Sequence, residues 1–155
     1  MAARTVLVAC LLLLGTCIIV ASGRPAPSSN AFCKIVWLFG VPCDQANMAI
    51  VTSIKDNKKA YKLGPVTPDQ ILANHTSKDG EVANLNFTMD STTMSMGCHV
   101  QGSSVSPFWF SPFDNGTNYC NLYGVIKGSG LGNTPGFVEF TNEWLCLGFG
   151  VSLCK

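Results

Sequence analysis

The sequence lacks an excess of charge of either sign. It has 10 Lys and Arg residues against 9 Asp and Glu residues, and the balance is nine against nine without Arg4, which lies in a predicted leader. A neutral chain has no electrostatic footprint for nucleic acid or for an anionic membrane, so we expect neither as a partner.

Apolar runs long enough to cross a bilayer are also lacking. The longest run, Val6 to Val20, comes after the basic Arg4 and before the small residues Ala21-Ser22-Gly23. This pattern predicts a signal peptide, residues 1–23. The alternative is a membrane anchor, which the run disfavours because a span needs about 20 apolar residues. We therefore expect a secreted, soluble mature chain with no membrane span.

The usual spacings of metal-binding and catalytic residues are missing as well. No Cys-x-x-Cys pair occurs, and the two histidines, His75 and His99, stand at no ligand spacing. We expect His99 to be exposed on a strand rather than to act as a base, because no acid or nucleophile is arranged with it. The scattered acids and serines likewise predict no catalytic residue, no metal, no cofactor and no enzyme.

Cysteine, by contrast, is abundant. Of the eight cysteines, Cys10 and Cys17 leave with the predicted leader. The remaining six predict three disulfides in an oxidising compartment, although six cysteines allow 15 pairings. These six are Cys33, Cys43, Cys98, Cys120, Cys146 and Cys154. Cys33 and Cys43 bracket an apolar run and can pair with each other or with distant partners.

The first half of the mature chain predicts a strand followed by a helix. Residues 24–31, rich in Pro and Ser, predict a disordered mature N-terminus, and residues 32–155 a single disulfide-bonded domain. The apolar run from Phe32 to Val41 predicts a buried strand. Asp44 is a suitable N-cap for a helix from Asp44 to Asn57. Its inward face would comprise Ala46, Ala49, Ile50, Ser53 and Ile54.

Strand patterns dominate the chain after this helix. The runs Ala60 to Val66 and Ile71 to Thr76 predict short strands, and residues 83–89 and 94–100 alternate apolar with polar side chains as an antiparallel hairpin does. The inward residues of the hairpin would be Ala83, Leu85, Phe87, Met89, Met94, Met96, Cys98 and Val100. Residues 136–140 and 143–153 predict short strands or extended segments. Their residues Trp144, Leu145, Leu147 and Phe149 are expected in the core.

The stretch from Phe113 to Ile126 predicts a turn followed by a short second helix. Asp114-Asn115-Gly116 is a turn signal, and Thr117 or Asn118 can cap the helix. We expect Gly128 to end it. The inward stripe would be Tyr119, Leu122, Tyr123 and Ile126. Residues 128–132 predict a flexible connector rather than a nucleotide-binding loop. Together these elements predict an α+β fold in which one main helix packs on an antiparallel sheet, with a short second helix.

Three Asn-x-Ser/Thr motifs predict N-glycosylation of exposed side chains, at Asn74, Asn86 and Asn115. An aromatic segment that contains Pro107 and Pro112 predicts either a contact surface for lipid, sugar or protein, or a lid on the core. Its residues are Phe108, Trp109, Phe110 and Phe113.

A lysine cluster lies around the end of the predicted main helix. It comprises Lys55, Lys58, Lys59 and Lys62. A heparin or acidic-partner site is one interpretation. The other is a solvated helix end whose cations face the negative end of the helix dipole.

Two resemblances bear on these predictions. The Phe113–Leu122 stretch, Gly136-Phe137 and the spaced closing cysteines resemble a group of small secreted cysteine-containing proteins of aquatic animals. That resemblance implies an extracellular, disulfide-bonded protein and brings no activity or catalytic residues. The outline, a helix followed by antiparallel strands with Gly40 before the helix, is similar to cystatins. Where cystatins carry Gln-x-Val-x-Gly, however, this chain has Thr76-Ser-Lys-Asp-Gly80.

We therefore expect a secreted, disulfide-bonded glycoprotein that acts as a non-enzymatic extracellular interaction or matrix module. The partner would be an extracellular protein, a glycan or a small apolar ligand. One alternative is a cystatin-like inhibitor of cysteine proteases, which requires Gly40 beside a hairpin loop. Another is a carrier of a small apolar ligand, which requires an enclosed cavity of roughly several hundred Å³ under the hairpin.

Overall fold

A computed structural model describes residues 30–92, 97–106 and 115–154. Several sequence predictions lie outside these ranges: the leader, the N-terminal stretch up to residue 29, Met94, Met96, Phe108, Trp109, Phe110 and Phe113. Ala31 lies inside them and is buried, and its carbonyl accepts a hydrogen bond from the Ser106 N–H at 3.0 Å. The packed domain therefore includes Ala31.

Six strands form one antiparallel sheet in the order β2-β3-β4-β5-β1-β6. The strands are β1 (Phe32–Phe39), β2 (Tyr61–Val66), β3 (Gln70–Thr76), β4 (Val82–Ser91), β5 (Cys98–Val105) and β6 (Val138–Phe140); the helices are α1 (Cys43–Asp56) and α2 (Thr117–Ser129). Strands β2 to β5 form a meander. Because β1 lies next to β5, the connection through α1 carries the chain to the far edge of the sheet, where β2 begins. This α+β architecture confirms the predicted helix on an antiparallel sheet.

Apolar side chains fill the space between the helices and one face of the sheet. Alternate residues of each strand point inward, and those of β1 and β4 confirm the predicted pattern. The largest fully buried side chains include Trp37, Tyr119, Phe39, Phe87, Ile35, Ile50, Ile54 and Leu122. Packing is tight enough that a Cβ on Gly102 would lie 2.6 Å from the Trp37 ring. Each large apolar side chain buried in this way contributes about 1.5–3 kcal/mol.

The two helices follow the sequence prediction, with corrections at their ends. Helix α1 begins at Cys43, one residue early, so Asp44 lies in its first turn and is not the N-cap; Pro42 precedes the helix. Helix α2 ends at Ser129, with Gly130 at φ 73° as its C-cap, and not at Gly128. A Cβ on Gly128 would lie 2.6 Å from the Ser53 Oγ, so Gly128 permits close approach of the two helices.

Asn118 and the glycine-rich stretch also differ from expectation. Asn118 is buried within α2, where its Oδ1 accepts hydrogen bonds from the hydroxyls of Ser104 and Ser106. Residues Leu131–Asn133 form a short 3-10 helix with Leu131 buried, so the predicted flexible connector is an ordered part of the fold.

Three disulfides join distant parts of the chain: Cys33–Cys146, Cys43–Cys98 and Cys120–Cys154. The predicted number of bridges is confirmed, and Cys33 and Cys43 each pair with a distant partner. One bridge joins the start of α1 to the start of β5. The Cys33–Cys146 and Cys120–Cys154 bridges both attach the region after β6 to the rest of the fold. Within the described residues, neither helix is both long and apolar enough to span a membrane.

Strand β6 is short but is joined to the core by a carboxylate. Glu139 accepts hydrogen bonds from the Trp37 indole N–H at 2.9 Å and from the Tyr119 hydroxyl at 3.0 Å. Burial and the Glu139 charge both raise the pKa of Tyr119, which keeps its hydroxyl protonated as a donor. This one side chain links an edge strand to β1 and α2.

Candidate functional site

Residues 143–154 depart most from the sequence prediction, and we call them the 143–154 segment. Trp144 is 90% exposed and Leu145 44% exposed, so the prediction that both lie in the core is wrong. Leu147 and Phe149 are only half-buried. Instead of a strand, the segment forms turns and a 3-10 helix at Phe149–Val151.

The exposure continues toward the end of the same segment. Val151 is 65% exposed and Leu153 is 98% exposed. Four large apolar side chains therefore face solvent within a stretch of ten residues. Isolated exposed apolar residues are ordinary, but a group of them on one short segment is the kind of feature that marks an interaction site.

Covalent bonds fix this segment at both ends. Cys146, fully buried, is bonded to Cys33 of β1, and Cys154 is bonded to Cys120 of α2. A backbone hydrogen bond from the Lys34 N–H to the Leu145 carbonyl, at 2.7 Å, adds a further tie to β1. The exposed side chains consequently stand on a backbone that is attached to the core.

Two polar side chains shape the turns inside the segment. The Asn142 Oδ1 accepts hydrogen bonds from the N–H groups of Trp144 and Leu145, at 3.0 and 3.1 Å. The Glu143 carboxylate accepts from the N–H groups of Gly148 and Gly150. Such side-chain acceptors replace the partners that a strand or helix would have given these backbone groups.

A pair of glycines docks the segment on the turn before α2. Gly116 and Gly148 have φ values of 77° and 72°, a region that favours glycine. A Cβ on Gly116 would lie 2.5 Å from the Ser152 Cβ and 2.7 Å from the Gly148 carbonyl oxygen. A Cβ on Gly148 would in turn collide with the Gly116 nitrogen. Nearby, the Phe149 ring packs edge-on against Tyr119 with centroids 5.0 Å apart. The predicted turn at Asn115-Gly116 is confirmed; its role in holding the 143–154 segment could not be predicted.

A cleft of about 680 Å³ lies beside the segment. It is formed by the end of β3 and the turn after it, the first turn of α2, and the end of the 143–154 segment. Polar side chains in its lining include His75, Lys78 and Asn121, and apolar groups include Val151, Leu153 and the Cys120–Cys154 bridge. Its volume falls within the range of ordinary ligand sites, although the cleft is open to solvent.

The aromatic groups behind the cleft are held in neutral forms. Burial lowers the pKa of His75 below its usual 6.5. Its ring packs edge-on against Tyr61, with centroids 4.8 Å apart. The Tyr61 hydroxyl donates a hydrogen bond to the Asn121 carbonyl at 3.0 Å, and burial raises the pKa of Tyr61 to about 12.

Groups that could perform chemistry are not brought together here. No carboxylate is among the described residues that line the cleft, and both of its cysteines form a disulfide. His99 lies half-buried on the outer face of β5, away from the cleft, with Asp90 as its cross-strand neighbour. Over the described ranges, no group of three or more His, Cys, Asp or Glu side chains could hold a metal ion.

The three predicted glycosylation sites lie on two surfaces. Asn115 is exposed at the rim of the cleft, with φ 45°. Asn74 and Asn86 lie half-buried on the outer face of the sheet, opposite the helices. Asn74 donates to the Asn84 side chain at 2.7 Å, and Asn86 accepts from Gln70 at 3.1 Å. Glycosylation at each remains a prediction.

Gly40 and the Thr76–Gly80 loop lie at opposite ends of the sheet. Gly40 follows the end of β1, where Phe39 pairs with Cys98, and its N–H donates to the Pro135 carbonyl at 2.9 Å. The loop follows β3, at the end of the sheet where Asn84 pairs with Val105. The geometry therefore lends no support to an inhibitory wedge built from these two elements.

The cleft could not be predicted from the sequence, because the Cys120–Cys154 pairing that assembles it is one of many possible pairings. Comparisons with known proteins add no assignment: no family model matches the chain, and no curated protein matches it.

Proposed function

We propose that the protein is a secreted, disulfide-bonded, non-enzymatic interaction module that binds an extracellular partner through the 143–154 segment and the adjacent cleft. The observation that carries this proposal is the outward position of Trp144, Val151 and Leu153 on a backbone joined to the core by two disulfides. Exposed aromatic and aliphatic side chains on a fixed frame are good anchors for a partner, since little conformational entropy is lost when they bind.

The disulfides also support the extracellular assignment. Three bridges use all the cysteines among the described residues, which is typical of an oxidising compartment and unusual in cytosol. The lining of the cleft supports the non-enzymatic part of the proposal. Among the described residues that line it, His75 supplies the one imidazole, and none supplies a carboxylate to orient that ring or a free thiol to act as a nucleophile.

A carrier function has one supporting observation, the size of the cleft. The space between the sheet and the helices is filled by Trp37, Phe87 and Leu122, so a ligand would have to occupy the open cleft rather than an enclosed cavity. Native mass spectrometry of the secreted protein separates the two functions. A bound small molecule of constant mass supports the carrier, and a protein-only species supports the interaction module.

Site-specific photo-crosslinking tests the interaction directly. A photoreactive phenylalanine analogue is placed at Trp144, at Leu153 or, as a control, at Met48 of α1, which is 62% exposed. The protein is irradiated in its native extracellular fluid, and adducts are identified by mass spectrometry. We expect one partner to be captured from positions 144 and 153 and not from 48. Equal capture from all three positions, or capture from none, would contradict the proposed surface.

A further inference from the structure

A second surface carries an unusual concentration of positive charge. Residues 55–62 contain four of the eight lysines in the chain and a single acid, Asp56. These lysines are Lys55, Lys58, Lys59 and Lys62, and all are exposed. Since the remainder of the chain is close to neutral, the positive charge is local to this surface.

The fold arranges three of these four lysines around a groove. After α1, the N–H groups of Ala60 and Tyr61 both donate to the Asn57 carbonyl, at 3.1 and 2.9 Å, and this tight turn leads directly into β2. A groove of about 370 Å³ lies between the last turn of α1 and the edge strand β2. Its lining consists of Ile54, Lys55, Lys58, Tyr61, Lys62 and Leu63. Three lysines therefore line the groove beside an apolar floor of Ile54, Tyr61 and Leu63.

The helix dipole accounts for only part of this arrangement. Lys55 lies in the last turn of α1, where a cation is favourable. Lys62, in contrast, belongs to β2, where it pairs across the strands with Asn74, and the dipole effect falls off within the last turn. The dipole therefore does not explain why Lys58 and Lys62 also line the groove.

We propose that this groove, the lysine groove, binds a sulfated glycan. Polyanions that an extracellular protein meets are chiefly sulfated sugar chains, and repeated sulfates suit several separate point charges. Lysine is the appropriate residue, because its ammonium group is a point charge and does not require the planar, bidentate geometry that an arginine binds. The apolar floor can contact the carbon faces of a sugar ring. This proposal does not depend on the 143–154 segment or on the partner proposed for it.

Calorimetric titration with a heparin-derived hexasaccharide at several salt concentrations tests the lysine groove. The groove variant is Lys55→Gln/Lys58→Gln. The matched control is Lys34→Gln/Lys127→Gln, which removes the same charge from two other exposed positions. Circular dichroism establishes that both variants are folded.

We expect the wild type and the control variant to bind with similar affinity. The groove variant should bind at least about tenfold more weakly at physiological salt, with the slope of log K against log salt reduced by roughly one for each lysine removed. Equal weakening in both variants, or no binding by the wild type, would overturn the proposal. So would equally tight binding of an unsulfated hyaluronan hexasaccharide, or preferential binding to phosphatidylserine vesicles.

Discussion

Replacing Gly148 by alanine is expected to loosen the 143–154 segment from the turn before α2. Two effects combine at this position. A non-glycine residue at φ 72° costs about 1–2 kcal/mol. The added Cβ would also collide with the Gly116 nitrogen, a backbone atom that cannot rotate away, and overpacking of this kind costs about 1–3 kcal/mol. The expected loss is therefore about 2–5 kcal/mol.

Two other glycines separate these effects. Gly130 has φ 73° and Gly132 has an ordinary φ, and a Cβ at either position would have no atom within 4 Å. Gly130→Ala should therefore show the conformational cost alone, about 1–2 kcal/mol. Gly132→Ala should be close to neutral. The difference between Gly148→Ala and Gly130→Ala isolates the contact with Gly116.

The assay is urea unfolding in a non-reducing buffer, with hydrogen exchange of residues 143–154 alongside it. Hydrogen exchange is needed because the segment can open locally while the sheet stays folded. If Gly148→Ala matches Gly130→Ala within about 0.5 kcal/mol and the segment exchanges at the same rate in both, the docking role of the glycine pair is refuted.

Three further perturbations test other parts of the structure. The double change Cys120→Ser/Cys154→Ser removes a bridge between residues with a sequence separation of 34. It should lower the free energy of unfolding, measured by urea unfolding, by about 3–4 kcal/mol. An unchanged urea midpoint would show that the bridge does not stabilise the fold. Tyr61→Phe removes the hydrogen bond to the Asn121 carbonyl and should lower the free energy of unfolding by about 1 kcal/mol. The tyrosinate absorbance that titrates near pH 12 should also disappear. If that absorbance persists, another tyrosine is responsible. Because burial lowers the pKa of His75, the stabilisation linked to its neutral form is complete above pH 6.5 and is lost as the pH falls through the lowered pKa. Urea midpoints should thus fall below pH 6.5 in the wild type and fall less in His75→Gln; parallel pH profiles would contradict this.

The sheet and the main helix could be predicted because their signals are local. Residues 83–89 alternate apolar and polar side chains, and in β4 all four of the predicted inward residues are buried. Helix α1 has apolar and small residues at helical spacing, and its bounds differ from the prediction by one residue at each end. Periodicity of this kind depends on neighbouring residues, so no knowledge of the tertiary structure is required.

Features that depend on long-range contacts could not be predicted. The sequence predicts that Gly128 ends α2, but Gly130 adopts the left-handed conformation that ends the helix. Gly128 instead lies inside α2, where a Cβ would lie 2.6 Å from the Ser53 Oγ, a contact that the sequence does not reveal. The sequence predicts Trp144 and Leu145 in the core because apolar residues are usually buried. The Cys33–Cys146 bridge and the acceptors Asn142 and Glu143 instead hold this backbone in turns that leave Trp144 in solvent.

The disulfides matter for binding because of what an untethered segment would do. A flexible tail carrying Trp144, Val151 and Leu153 would reduce their exposure by folding back on the nearest apolar surface. Bridges at Cys146 and Cys154 restrict that collapse, so these side chains stay exposed and available to the proposed partner. Opening the Cys120–Cys154 bridge should therefore weaken partner capture from position 153 more than from position 144, which lies nearer the intact Cys33–Cys146 bridge. Equal loss at both positions would mean that the partner recognises the segment as one unit.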